Sequence, residues 1–211
     1  MLTNDFKFPP VEVAGEDGLL AIGGDLWPER LLAAYRRGIF PWYNENEVIQ
    51  WYCPDPRFVL FPDQLVISKS MQQLIRKNAF QFTSNQCFVQ VMENCRDASR
   101  PGQPGTWIHD AVLEAYTTLH GLGFAHSAEV WQDNVLVGGL YGVKLGNVFF
   151  GESMFSLVSN ASKYAFIKYV HLLQQEKIAL IDCQVYTAHL EKLGAVMISR
   201  SEFSALLKKH I

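Results

Sequence analysis

Between residues 125 and 155 the hydrophobic pattern switches from helical spacing to period two. It does so in three runs, residues 125–131, 135–143 and 148–155, parted by Gln132-Asp133-Asn134 and Leu145-Gly146-Asn147. Turn-forming residues between runs of period two predict an antiparallel meander of three strands. A meander must cover at least one face, so the flanking segments are constrained to supply helices. They have the spacing for it. Pro28 opens a short helix, residues 29–37, that Gly38 closes; Ser68 caps another through Lys77. Phe88, Val89, Met92 and Cys95 recur at helical spacing, as do Ile108, Val112, Ala115, Tyr116 and Leu119 before Gly121 and Gly123. Phe82-Thr83 is briefly extended and residues 100–105 form a loop. After the meander, Asn160 caps a long helix to about Gln175; then come a strand at residues 180–185, a short helix at 188–193, a strand at 196–199 and a terminal helix. This order predicts an α+β chain built on a mixed sheet with helices on both faces.

The N-terminal part has another character. Gly15, Gly18, Gly23 and Gly24 interrupt it, and Phe40-Pro41-Trp42-Tyr43 and Trp51-Tyr52-Cys53-Pro54-Asp55-Pro56-Arg57 concentrate aromatics and prolines. We expect a small aromatic-rich domain at residues 1–57 and a main domain at 58–211. The aromatics either form a binding wall or pack the small domain onto its neighbour.

With 211 residues, 49% of them hydrophobic, the chain can bury one sizeable core and a small satellite. Its first residues lack the apolar run of a signal peptide and no stretch is long enough to cross a bilayer, so a cytoplasmic protein is expected. Cys53, Cys87, Cys95 and Cys183 are scattered and read as reduced thiols, and the six histidines show no metal-ligand spacing. A formal charge of -3 gives no global attraction for nucleic acid, so any such partner must be gripped locally. Arg36, Arg37, Lys69, Arg76 and Lys77 are candidates for steering it, or are solvated helix faces.

Chemistry is concentrated in Leu180-Ile181-Asp182-Cys183-Gln184-Val185. In an even strand Asp182 and Gln184 project from one side, into surroundings where lone polar groups are costly. They are either a reaction centre or a pair that satisfies neighbouring backbone groups. Glu152, on the third meander run, adds a second carboxylate that would attract a cationic substrate group or pair with a nearby base.

The element order is similar to that of the N-acyltransferase superfold, whose CoA-dependent members hold pyrophosphate on a glycine-bearing turn. The equivalent stretch here, Ser153-Met154-Phe155-Ser156-Leu157-Val158-Ser159-Asn160, has no glycine, so a phosphate nest is not expected. A more specific resemblance lies in an ordered set of blocks. They include Gly18-Leu19-Leu20-Ala21-Ile22-Gly23-Gly24-Asp25-Leu26, Gly38-Ile39-Phe40-Pro41-Trp42, Pro54-Asp55-Pro56-Arg57 and Gly105-Thr106-Trp107-Ile108. Further blocks are Ala125-His126-Ser127-Ala128-Glu129-Val130-Trp131, Leu136-Val137-Gly138-Gly139-Leu140-Tyr141-Gly142-Val143, Gly151-Glu152-Ser153-Met154-Phe155-Ser156, Asn160-Ala161-Ser162-Lys163 and Leu180-Ile181-Asp182-Cys183-Gln184. Together they resemble the bacterial leucyl/phenylalanyl-tRNA-protein transferases over nearly the whole chain; Tyr52-Cys53 depart from that pattern.

The resemblance implies transfer of Leu, Phe or Met from the 3' end of an aminoacyl-tRNA to the α-amine of proteins that begin with Arg or Lys, feeding the N-degron route to proteolysis. It implies no cofactor, metal or membrane. An aminoacyl ester is already activated, and an α-amine with pKa near 7.7 to 8.0 is roughly a fifth to a third neutral at cytoplasmic pH. The expected roles are Gln184 as acceptor of a hydrogen bond from the attacking amine, with Asp182 orienting its amide, and Glu152 as an attractor of cationic groups. The expected amino-acid pocket is Leu140, Phe149, Met154, Tyr169 and Ile181, and Trp42 and Trp107 would stack on the terminal adenosine. A CoA-dependent N-acetyltransferase of the same fold and a non-catalytic tRNA-binding module are the alternatives.

Overall fold

The computed structural model describes residues 2, 5–98 and 106–211. The loop expected at residues 100–105 lies outside them, as does Gly105 of the block that leads to Trp107. In chain order the elements are β1 (Leu19–Ile22), α1 (Pro28–Tyr35), β2 (Phe40–Pro41), β3 (Gln50–Tyr52), β4 (Arg57–Leu60), α2 (Lys69–Arg76), β5 (Gln81–Ser84), α3 (Phe88–Asp97) and α4 (Asp110–Gly121). They continue with β6 (Ala125–Gln132), β7 (Val135–Leu145), β8 (Val148–Ser156), α5 (Ala161–Gln175), β9 (Leu180–Gln184), α6 (Ala188–Glu191), β10 (Val196–Ile198) and α7 (Arg200–His210). One sheet has three strands in the order β1-β3-β2, the other seven in the order β10-β4-β9-β8-β7-β6-β5.

The meander is present as β6, β7 and β8, paired antiparallel. Its two turns follow from local chemistry: Asp133, Asn134 and Gly146 all adopt positive φ, which Asn, Asp and Gly tolerate best. Two apolar clusters cover the two faces of the large sheet. One gathers Tyr35 of α1, Phe88 and Met92 of α3, Tyr116 of α4 and Phe203 of α7. The other gathers Met71 of α2, Tyr164, Ile167 and Val170 of α5 and Leu190 of α6. Each fully buried side chain of this size contributes roughly 1.5–3 kcal/mol, so the two layers hold the sheet between them. Gly138 of β7 lets α5 sit close, because a Cβ there would lie 2.6 Å from that of Ala161.

One sequence expectation needs correction, and two strands were not anticipated. Asn160 does not cap α5 with its side chain; it takes φ +68°, and Ser156 Oγ instead accepts from Ser162 N at 3.1 Å. Residues 57–60, at the expected junction of the two domains, form a fully buried strand, β4, inserted between β9 and β10. Its neighbours Pro54, Pro56 and Pro62 all lie outside the ladder and remove no hydrogen bond from it. The glycine-rich N-terminal stretch also contains β1, whose partners β3 and β2 come from the aromatic segments.

Candidate active site

The site lies where the large sheet loses its regularity. β8 and β9 are parallel neighbours, in register at Val148 with Leu180, Phe149 with Ile181 and Phe150 with Asp182. Beyond that point the two strands no longer pair with each other, and the gap becomes a cavity of about 560 Å³. β8 contributes Gly151, Glu152, Ser153 and Met154 to its wall and β9 contributes Asp182, Cys183 and Gln184. On the other edge of β9 the pairing with β4 slips: Val59 faces Asp182 and Phe58 faces Gln184, so Cys183 is an extra residue. Gln184 takes φ +64°, a conformation that costs a non-glycine residue about 1–2 kcal/mol.

Asp182 is completely buried and its two oxygens are fully engaged. Arg57 Nε donates to Oδ1 at 2.8 Å and its Nη2 to Oδ2 at 2.6 Å, a two-pronged ion pair. The Gln184 backbone N–H donates to the same Oδ1 at 2.9 Å. Burial works against the Arg57 charge, but Asp182 more than offsets it and raises the guanidinium pKa. The guanidinium is also held between the rings of Phe40 and Phe203, at 4.8 and 4.7 Å, so the small sheet and α7 both bear on it. Asp182 therefore pins the strained backbone of Gln184 and does not touch its amide. The sequence expectation that Asp182 orients the amide is corrected on this point, because the bulge at Cys183 breaks the alternation on which it rested.

The amide is oriented by Glu152. Gln184 Nε2 donates to Glu152 Oε1 at 2.9 Å, and Tyr35 Oη donates to the same oxygen at 2.7 Å. Tyr116 Oη reaches Oε2 at 3.4 Å and hydrogen-bonds with the hydroxyl of Tyr35. When Glu152 is ionised it only accepts, so in that state the NH2 of Gln184 faces Glu152 and its carbonyl oxygen faces away. Burial, reinforced by the charge of Asp182, lifts Glu152 to a pKa of about 8, while Tyr35, Tyr116 and Arg57 pull it back down. Burial and the neighbouring Glu152 push both tyrosines well above their ordinary range, so they stay protonated donors.

The sequence-predicted pocket residues are largely gathered at the cavity. Leu140, Phe149, Met154 and Ile181 line it, as do Trp42 and Trp107. Trp42 is 43% exposed and Trp107 only 9%, so the first offers an open ring face and the second a wall. Tyr169 does not reach the cavity; it packs edge-on behind Phe149 at 5.0 Å between centroids. Phe166 of α5, Phe40 and His189 line the cavity and were not anticipated. Arg37 is tied to the backbone oxygens of Phe8 and Pro9, whereas Arg36, Lys69, Arg76 and Lys77 are exposed.

Arg57, Tyr35 and Tyr116 are the functional-site residues that sequence reasoning missed. Their partners lie 125, 117 and 36 residues away along the chain, so no local spacing marks them. The one available signal was an arginine leading straight into the apolar run Phe58-Val59-Leu60.

Among the described residues no three His, Cys, Asp or Glu side chains converge as a metal cage, and no helix is long and apolar enough to cross a membrane. The thiol of Cys183 is pushed far up by burial, which makes it a poor nucleophile. The site is thus a largely apolar cavity with one oriented amide at its wall, able to hold an apolar group beside a hydrogen-bonding one.

Comparison with known proteins makes this specific. The model of the leucyl/phenylalanyl-tRNA protein transferase family matches residues 59–208, and the model of that family's N-terminal domain matches residues 24–55. A leucyl/phenylalanyl-tRNA–protein transferase of Flavobacterium johnsoniae is 58% identical over 98% of both chains. One of Syntrophus aciditrophicus is 58% identical over 97% of this chain and 85% of its own. A solved GCN5-related N-acetyltransferase from Kribbella flavida is distantly similar, at 12% identity and a TM-score of 0.34 over 80% of this chain and 60% of its own. The chain belongs to the leucyl/phenylalanyl-tRNA protein transferase family and is an aminoacyl-tRNA-dependent transferase that acts on proteins.

Proposed function

We propose that this enzyme moves Leu, Phe or Met from the 3' end of aminoacyl-tRNA to the α-amine of proteins that begin with Arg or Lys, marking them for N-degron proteolysis. The observation that carries the reading is the Gln184 amide, fixed by Glu152 with its carbonyl oxygen free, beside an apolar cavity. In this scheme that oxygen accepts a hydrogen bond from the attacking amine, which leaves the amine nitrogen's lone pair aimed at the ester carbonyl. Met154, Leu140, Phe149, Ile181 and Phe166 enclose an apolar side chain that is unbranched at Cβ; Trp42 and Trp107 hold the terminal adenosine. Base stacking of this kind is worth about 1–3 kcal/mol per base and needs no net positive protein. Holding ester and amine in attack geometry contributes on the order of 7–11 kcal/mol.

The reaction needs no cofactor, because the ester carries its own activation. Against the CoA-dependent alternative stands the turn before α5, whose Ala161 and Ser162 amides are already taken by Val158 O and Ser156 Oγ. Since charged tRNA is a cytoplasmic substrate, the activity belongs in that compartment. The deciding assay supplies labelled Leu-tRNA with peptides beginning Arg, Lys or Ala. Transfer to the first two alone is the expected result; transfer to Ala as well, or none, would overturn the acceptor assignment. Saturable binding of acetyl-CoA by calorimetry would favour the alternative enzyme.

A further inference from the structure

The edge of β8 that faces the cavity carries backbone groups that the frame does not use. Its pairing with β7 shifts by one residue, with Gly151 opposite Gly142 and Ser153 opposite Tyr141, so Glu152 is an extra residue on β8 just as Cys183 is on β9. Beyond this bulge the register fixes where each peptide group points. Leu157 N donates to Val137 O at 2.8 Å, and in an antiparallel ladder residues alternate between bonding the partner strand and turning away from it. Counting back from that bond, Phe155 bonds to β7 opposite Gly139, and Met154, opposite Leu140, turns its N–H and C=O to the other side. β9 does not take them, because its ladder with β8 ends at Phe150 and Asp182, and no turn or loop bond among the described residues does so either. Residues 151–154 are half-buried between buried neighbours, as befits an edge that opens on the cavity.

We propose that the aminoacyl group of the donor docks on this edge as a one-residue antiparallel strand opposite Met154. Its α-amino group donates to the Met154 C=O, and its ester carbonyl oxygen accepts from the Met154 N–H, which then stabilises the oxyanion formed in transfer. The inference rests on the reading of the cavity as the aminoacyl-tRNA site with Gln184 as the amine's anchor. Directly opposed residues put their side chains on one face of a sheet, and Met154 packs on the face of Leu140, Phe149, Phe166 and Ile181. A donor opposite Met154 therefore sends its side chain into that apolar pocket. A donor laid parallel would bond only one of the two Met154 groups and would turn its side chain to the face of Phe155, which belongs to the opposite cluster. The antiparallel pose also carries the ester carbonyl toward the Glu152 side of Met154, and Glu152 holds the Gln184 amide at 2.9 Å. The reacting carbon then lies between two walls, with the Met154 N–H on β8 and the Gln184 side chain on β9.

The step balances without any further group. The neutral amine attacks the ester carbon, the C–N bond forms, and the carbonyl π pair moves onto oxygen, where the Met154 N–H meets a full negative charge. As that pair returns, the C–O bond to the 3' ribose oxygen breaks, and the proton given up by the nitrogen ends on that oxygen as a hydroxyl. A donor held by β8, whose other edge is already laddered to β7, needs little reorganisation as the charge develops.

The test removes single N–H groups from the backbone. Cell-free translation with a suppressor tRNA carrying an α-hydroxy acid places the hydroxy analogue of methionine at 154 or that of phenylalanine at 155, so that an ester oxygen replaces one N–H. Single-turnover transfer from Leu-tRNA to an Arg-initiated peptide is then measured beside the denaturation midpoint. The ester at 154 should lower kcat by about 10²- to 10³-fold, with KM for Leu-tRNA within about threefold and the midpoint nearly unchanged. The ester at 155 breaks a bond to β7 and should lower the midpoint while kcat of the folded enzyme stays within about threefold. A kcat within threefold of wild type for the ester at 154 would overturn the inference, as would equal losses of kcat at the two positions. The wild type should also use Leu-tRNA at least tenfold better, by kcat/KM, than tRNA esterified with 2-hydroxy-4-methylpentanoate, whose hydroxyl lacks the charge that the Met154 C=O receives; equal use would remove the α-amino half of the pose. Failure of the wild type to transfer Leu to an Arg-initiated peptide would instead sink the functional reading itself.

Discussion

The meander and the β8–β9–β4 junction belong to one sheet, yet they obey different rules. From β6 through β8 most positions pair in order, the turns are made by residues suited to them, and helices cover both faces. At the junction, the parallel ladder stops at Phe150 and Asp182, a residue is looped out at Cys183, and Gln184 is forced to positive φ. Where hydrogen bonds run on regularly the sheet has no room for a substrate. Where they stop, backbone and side chains are left to be held by other means, and those means are the ion pair of Arg57 with Asp182 and the hydroxyl pair around Glu152. The contrast teaches that regularity supplies a frame and irregularity supplies the site.

Changes at the junction and in the frame should therefore separate by kind. Arg57→Ala leaves Asp182 buried without its cation and should cost about 3–5 kcal/mol of stability, read from denaturant midpoints. A cost no larger than that of a surface substitution would show that the junction is not held by this pair. Gln184→Ala, at a half-buried position, should leave stability nearly intact while lowering the transfer rate about 10²- to 10³-fold, as removal of one group aimed at the reacting atoms does elsewhere. In the frame, Gly138→Ala should do the reverse: crowding against Ala161 should cost about 1–3 kcal/mol, while the folded molecules keep their turnover. Loss of turnover in proportion to neither would mean that β7 and the junction are coupled.

The most gradual effect concerns pH. Glu152 binds its proton up to about pH 8 in the folded chain, against an ordinary 4.5, so between those values the folded state carries the extra proton. Its contribution is full below about 4.5, falls as pH rises, and is gone above about 8. The slope stays below about 1.4 kcal/mol per pH unit, since a single proton is involved and the carboxylate borders the cavity. From pH 5 to 8 the melting temperature of the wild type should fall relative to that of Glu152→Gln, which lacks the titrating group. Parallel curves would show that Glu152 titrates normally.

Much of the frame could be read from residue spacing, because its determinants are local. The turns at Asn134 and Gly146, the cap of Ser68 on α2 and the helical periods of α3 and α4 all depend on neighbours within a few residues. β4 was hidden because prolines flank it, and a proline just outside a strand looks in sequence like one that forbids it. Tyr169 was placed on the pocket wall by its residue type, whereas the packing of Phe149 in front of it decided otherwise.

By itself the sequence determined which segments are strands and helices, that Asp182, Gln184 and Glu152 are the polar groups of interest, and, through its ordered blocks, the family. Only the tertiary structure decided how those three are connected. A one-residue bulge reverses which side chain meets which, and the guanidinium and two hydroxyls that complete the site arrive from distant strands and helices. Periodicity is a property of neighbours along the chain; the proton affinity of a carboxylate and the orientation of an amide are properties of neighbours in space.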